Sequence, residues 1–222
     1  MTELDTFPPR HQKKQKRRYR LTRRGWLAVV ILLFLVVVLA EQCIKDKPQE
    51  AIYPELIGNV AVITDLIPSE YAGRTGIKRT IKWIVIHETG NTAASATAEN
   101  HNSFLHSEKQ MNNTTSWHYT VDDHEIYHHL PDDEVGYHAS DQLTPDGGNA
   151  CGIGIEICVN DGGDYQQAVD NAARLTAYLL DSYDLGLKAV KQHGDFTNKN
   201  CPERLREGEH WEEFLKQVKQ YL

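Results

Sequence analysis

The stretch Ile84-Val85-Ile86-His87-Glu88-Thr89-Gly90-Asn91 constrains this chain most. Its β-branched run has the texture of a strand buried on both faces, and it ends on a histidine followed by a turn. Open α/β sheets place their ligand crevices beyond the carboxyl ends of such strands, which is where His87 falls. A lone histidine there is as ordinary as a buried, hydrogen-bonded core residue. The other ligand-type residues of the chain decide between the two readings. A second buried-strand run covers Cys151 to Val159, and in it Glu156 stands between the apolar Ile155 and Ile157.

The remaining periodicities supply the rest of a domain. Val60 to Ile63 reads as a short strand or a packed arm, and Ala93 to about Gln110 as a helix carrying His101 and His106 on a solvated face. Ser116–Val121 and Glu125–Leu130 form a hairpin around Asp122-Asp123. Asp164 caps a helix from Tyr165 to about Tyr183, whose apolar stripe runs through Ala168, Ala172, Leu175, Leu179 and Leu180. Ala189 to His193 is a short segment leading into the site that His87 marks. Trp211, Phe214, Leu215 and Val218 give a closing amphipathic helix. Strands mixed with helices around one sheet predict a single α/β domain, residues 59–222, with a central mixed β-sheet flanked by helices. Residues 41–58, charged and punctuated by Pro48 and Pro54, read as a linker.

Charge divides the chain sharply. Residues 1–24 hold nine Lys or Arg against Glu3 and Asp5, a net of +7; with the whole chain at −7, the remainder carries −14. An acidic body repels phosphates, which argues against nucleic acid as a partner. Residues 25–40 are uncharged and almost wholly aliphatic. As a helix they span roughly 24 Å at 1.5 Å per residue, short of a hydrocarbon core of ~30 Å unless Arg23 and Arg24 snorkel or the bilayer thins. Two membrane readings stand. One is a retained transmembrane signal-anchor with the basic head in the cytoplasm; the other is a signal peptide cleaved near Val38-Leu39-Ala40, giving a secreted protein. The length of the basic head favours the anchor. Either way the acidic body is expected outside the cytoplasm. Monomer is the expected state.

The candidates for chemistry are His87, His193 and Cys201. Far apart in the chain, with neither C-x-x-C nor H-E-x-x-H, they are no local finger. Three dispersed N and S donors with no fourth are what a catalytic zinc centre uses, leaving one position open; eleven histidines leave other selections open as well.

Five short motifs in a fixed order narrow the choice: Ile-Val-Ile-His87, Ser116-Trp117-His118-Tyr119, Gly136-Tyr137-His138-Ala139, Ile153-Gly154-Ile155-Glu156, and His193 with Lys199-Asn200-Cys201-Pro202. From about Val60 onward the chain resembles the zinc-dependent N-acetylmuramoyl-L-alanine amidases related to phage lysozyme-type amidases and peptidoglycan-recognition proteins. The resemblance implies an exported peptidoglycan hydrolase that cleaves the amide between N-acetylmuramic acid and L-alanine with zinc-activated water. It implies His87, His193 and Cys201 as Zn2+ ligands, Glu156 as general base and then acid, and Lys199 as stabiliser of the oxyanion. His138 matches a site-wall histidine that touches substrate. His118 fits a buried partner as well as a site residue, and Trp117 fits core as well as groove wall. Asp195 is placed to orient His193. A ligand role for Cys201 removes it from disulfide pairing. The rivals are a non-catalytic muropeptide-binding module of the same fold, a prophage endolysin and a general zinc peptidase.

Overall fold

The computed structural model describes residues 22–45 and 49–222. It divides into two units, Met1–Asp46 and Lys47–Leu222.

In the first unit the aliphatic run forms a helix, α1 (Arg23–Lys45). Its large apolar side chains from Trp26 to Val38 are mostly exposed. Among the described residues no helix is long and apolar enough to cross a membrane; the uncharged core of α1 is the same short run noted above. Most of the basic head, residues 1–21, lies outside the described residues.

The second unit is built on seven strands: β1 (Leu56–Ile57), β2 (Val60–Thr64), β3 (Trp83–Glu88), β4 (Tyr119–Val121), β5 (Glu125–His128), β6 (Gly152–Ile157) and β7 (Val190–Gln192). They form one mixed sheet in the order β1-β2-β5-β4-β6-β3-β7. β4 and β5 pair antiparallel, as the hairpin predicts, while β4, β6, β3 and β7 run parallel. The two central strands, β6 and β3, are buried on both faces, which explains their near-continuous apolar texture.

A one-turn helix, α3 (Gly148–Cys151), leads into β6. One face of the sheet is covered by α4 (Tyr165–Ser182) and α5 (His210–Tyr221), and the largest core lies between. Ile84 and Ile86 of β3, and Ile153, Ile155 and Ile157 of β6, point into it and are fully buried. Asp164 starts α4 by accepting from the Gln167 amide, a cap worth about 1 kcal/mol.

Two expectations need correcting. The helix expected over Ala93–Gln110 is only α2 (Ala98–Leu105) followed by a 3-10 turn at Glu108–Gln110. Thr97 caps α2 by accepting from the Asn100 amide, and Asn91 accepts from the Ala93 amide; these short polar side chains take backbone donors that a longer helix would need. His101 and His106 are also only partly solvated, bonded to the Thr97 and Asn102 carbonyls. The linker expected over 41–58 is too long. Gln49 donates to the Tyr183 carbonyl and accepts from the Ile81 amide. Ile52 packs on the core, and Ile57 is buried where β1 pairs with β2. Residues 49–58 therefore belong to the domain, because they bury apolar surface that a linker would expose.

Candidate metal centre

The site begins with strand register. β3 and β6 are parallel, and His87 is paired with Glu156, so the two side chains emerge side by side on the same face. Alternation along β6 sends its isoleucines into the core and leaves Gly152, Gly154 and Glu156 on the site face. The glycine at 154 makes room there: a Cβ would sit 2.7 Å from the His138 ring. β7 lies on the other side of β3, and His193 follows at its carboxyl end in a 3-10 turn. Cys201 arrives on a loop whose carbonyl accepts from the Gly194 amide at 2.9 Å.

These elements bring the three expected ligands together. His87 Nδ1 is 3.0 Å from His193 Nδ1 and 3.9 Å from Cys201 Sγ. All three donor atoms lie within 4.8 Å of one another, and all three residues are buried.

Hydrogen bonds behind the cluster set the tautomer of His87. His138 Nε2 is 3.1 Å from the Gly152 carbonyl, which can only accept, so Nε2 carries the proton. His138 Nδ1 is then a lone pair and accepts from His87 Nε2–H at 3.0 Å. His87 Nδ1 is left as a lone pair aimed at the cluster, the form a metal requires. His138, expected on a site wall, is buried with both ring nitrogens engaged, behind the candidate ligand His87.

The electrostatics suit a cation. Burial, followed by the neighbouring His138 and His193, holds His87 well below the ordinary histidine value. Burial and the Lys199 ammonium lower His193 to about 4. Both rings are thus neutral, as ligands must be. Burial and the Glu156 charge push the Cys201 thiol up to about 11, so an incoming ion must displace its proton. Two neutral imidazoles and a thiol fit a zinc ion.

Glu156 Oε1 lies 3.8 Å from His87 Nδ1, and Oε2 is buried with no hydrogen-bond partner among the described residues. Burial drives this carboxyl up to about 7, opposed by Lys199 and aided by Glu88. Lys199 is exposed, yet its charge acts on His87, His193, Cys201 and Glu156 alike.

The other expected residues fall around this centre. Trp117 is both core and wall: it is buried, its Nε1 donates to Thr120 Oγ1 at 2.7 Å, and Phe104 stacks over it. With Thr89, Asn91, Asn100 and His101 these rings line a cavity of about 390 Å³ that begins just beyond His87. His118 is a core partner, accepting from the Gly154 amide through Nδ1 with Nε2 beside Arg79 and the Glu134 carbonyl. Asp195 accepts from the Gln192 amide and makes no bond to His193. Glu88, which follows His87 and has no role in the sequence reading, accepts from Tyr165 and from two backbone amides; a carboxylate ending a buried strand is the available signal.

Fold and site together define an α/β protein with a candidate divalent-metal centre at the carboxyl end of its central strands. Residues 77–204 match the family described as N-acetylmuramoyl-L-alanine amidase, and the chain belongs to that family. It is 41% identical over 156 residues to the N-acetylmuramoyl-L-alanine amidase CwlH of Bacillus subtilis (strain 168), covering 70% of this chain and 60% of that protein. It is 41% identical over 155 residues to XlyA of the same organism, covering 70% of this chain and 50% of that protein. The chain thus matches little more than half the length of these relatives. The solved catalytic domain of XlyA superposes with a TM-score of 0.67 at 40% identity, covering 72% of this chain and 99% of that domain.

Proposed function

We propose that this chain hydrolyses peptidoglycan outside the cytoplasm, cutting the amide between N-acetylmuramic acid and L-alanine in a zinc-dependent reaction. The observation that carries the reading is the convergence of His87, His193 and Cys201 within 4.8 Å beside Glu156, whose buried Oε2 has no hydrogen-bond partner among the described residues. The named relatives, CwlH and XlyA, point to the same bond.

His87, His193 and Cys201 would hold the ion. Zinc bound there would polarise the scissile carbonyl and bring the pKa of a water down toward ~7. Glu156 takes a proton from the attacking water and delivers it to the leaving nitrogen. The oxygen of that water ends on the lactyl carbonyl carbon as a carboxylic acid, and the stem peptide leaves with a free L-alanine amine. Lys199 offsets the negative charge that develops on the carbonyl oxygen. All five side chains come from one domain, which supports a monomer as the active unit. The aromatic walls at Trp117 and Phe104 offer contact surface for substrate beyond the metal ligands.

Tethering through α1 is part of the proposal. Exposed apolar side chains from Trp26 to Val38, following a strongly basic segment, are what support it.

The test is mass spectrometry of purified peptidoglycan after incubation with the full chain. Stem peptides with new L-alanine amino termini, and glycan freed of stems, are expected. Breakage of another bond, or muropeptides retained uncut, would overturn it.

A further inference from the structure

His87 is placed by strand pairing and His193 directly follows a paired strand, but Cys201 has no strand beside it in sequence. It comes from a loop between exposed Lys199-Asn200 and a single 3-10 turn, Arg204–Arg206. A ligand on such a loop needs a tie to the sheet, and Glu88 supplies one. It follows His87 in β3, so its side chain leaves on the opposite side of the strand from the imidazole. Its carboxylate accepts from Tyr165 Oη–H at 2.5 Å, from the Arg204 amide at 2.9 Å and from the Leu205 amide at 3.3 Å. Its main-chain carbonyl faces Cys201 Sγ at 4.0 Å. The clamp is braced from α4 as well: the Arg204 guanidinium sits 4.8 Å over the Tyr165 ring and donates to the Val159 carbonyl.

We propose that Glu88 is a positioning residue for Cys201, fixing the turn after the cysteine to the end of β3 so that the thiol meets the two imidazoles. The inference rests on the ligand set proposed above. Glu88 is not offered as a proton carrier, because both carboxylate oxygens already accept bonds from donors on the far side of the strand. Outer partners of metal ligands typically govern affinity by about 10- to 100-fold, and the same scale is expected here.

The experiment uses the full chain stripped of metal and titrated with Co2+. Retention is measured against a competing chelator at fixed pH, thiolate-to-cobalt charge-transfer absorption reports the Cys201 bond, and thermal unfolding of the metal-free forms runs in parallel. Glu88→Gln keeps the volume but turns an N–H donor toward backbone amides. It should weaken retention about 10- to 100-fold and diminish the thiolate band while cobalt d–d absorption persists. Tyr165→Phe should shift both readouts in the same direction by less. Wild-type affinity and an undiminished thiolate band in Glu88→Gln would overturn the proposal, whatever its melting temperature. Should Glu88→Gln not fold, unchanged affinity and band in Tyr165→Phe overturns it equally. Failure of the unaltered chain to take up cobalt would sink the ligand set and the clamp with it, and that failure is distinguishable because it precedes any substitution.

Discussion

His138 stands directly behind His87, its Nδ1 3.0 Å from His87 Nε2, while its own Nε2–H is spent on the Gly152 carbonyl. This two-ring chain, ending on a carbonyl that can only accept, holds His87 in the tautomer whose Nδ1 lone pair faces His193 and Cys201. Gly154 is what lets the second ring sit there.

His138→Ala should therefore weaken zinc retention by about 10- to 100-fold, the usual cost of losing a ligand's outer partner. Competition against a chromogenic chelator measures it. A substrate-wall role would instead raise KM at unchanged zinc affinity, so that pattern would return His138 to the wall. Gly154→Ala should act in the same direction, since its Cβ would displace the His138 ring, and repacking at that point costs about 1–3 kcal/mol of stability.

Removal of metal should abolish hydrolysis without unfolding the domain. The largest core lies on the opposite face of the sheet, between β3, β6, α4 and α5, and owes nothing to the ligands. Dialysis against chelator, followed by circular dichroism and an activity assay before and after adding zinc back, checks both halves. Activity that survives complete zinc removal contradicts the metal role. Cys201→Ser should reproduce the loss, and a normal zinc content in that variant would remove Cys201 from the ligand set.

Glu156→Gln is isosteric and removes the carboxyl proposed to carry the proton. Zinc content should stay normal while kcat falls about 10²- to 10⁴-fold, the range for a general acid–base group. The buried, unpartnered Oε2 makes this variant structurally mild, since no existing hydrogen bond is lost there. Rates within a few-fold of wild type would take Glu156 out of the chemistry.

Much of this site was legible before any coordinates. His87 ends an apolar strand, and Glu156 interrupts another; both are polar residues where strand texture allows none without a reason, and parallel register brings them together. The convergence of His193 and Cys201 is a tertiary fact that no local pattern encodes, and only the ordered set of five motifs pointed to it. The sequence does not orient His138, because a motif gives a residue's neighbourhood but not which way its ring turns. Glu88 was missed because its partners, Tyr165 and the 204–205 backbone, are remote in sequence. The helix before Gln110 is shorter than the sequence predicts because Asn91 and Thr97 take backbone donors ahead of it, and the domain starts earlier than predicted because Ile52 and Ile57 are isolated among polar residues.

Tagging the N-terminus and fractionating cells tests the tether. An intact full-length band in the membrane fraction is expected, released by alkaline-resistant extraction only when detergent is added. A shortened, tag-free species outside the cell would replace the anchor with a cleaved signal peptide.

Stability should fall toward acid pH through the buried histidines, among them His129 and His118, which lie outside the candidate metal cluster. His129 is fully buried, with Nδ1 3.1 Å from Asn102 Oδ1 and Nε2 2.9 Å from Thr120 Oγ1. Burial, then the neighbouring His128, holds it well below the ordinary value of 6.5. Burial and the Arg79 guanidinium do the same to His118. With the folded pKa depressed, the unfolded chain takes up a proton that the native state refuses. The contribution of each ring is fully present above the unfolded value of ~6.5 and is lost as pH falls below it, by up to about 1.4 kcal/mol per pH unit per histidine until the folded group itself titrates. Urea midpoints at a series of pH values between 7 and 5 measure this, and His129→Gln, which keeps a donor and an acceptor in the same pocket, should flatten the slope. A midpoint that holds steady or rises toward acid would mean that these rings are protonated in the folded state, and that their buried hydrogen bonds are made by imidazolium.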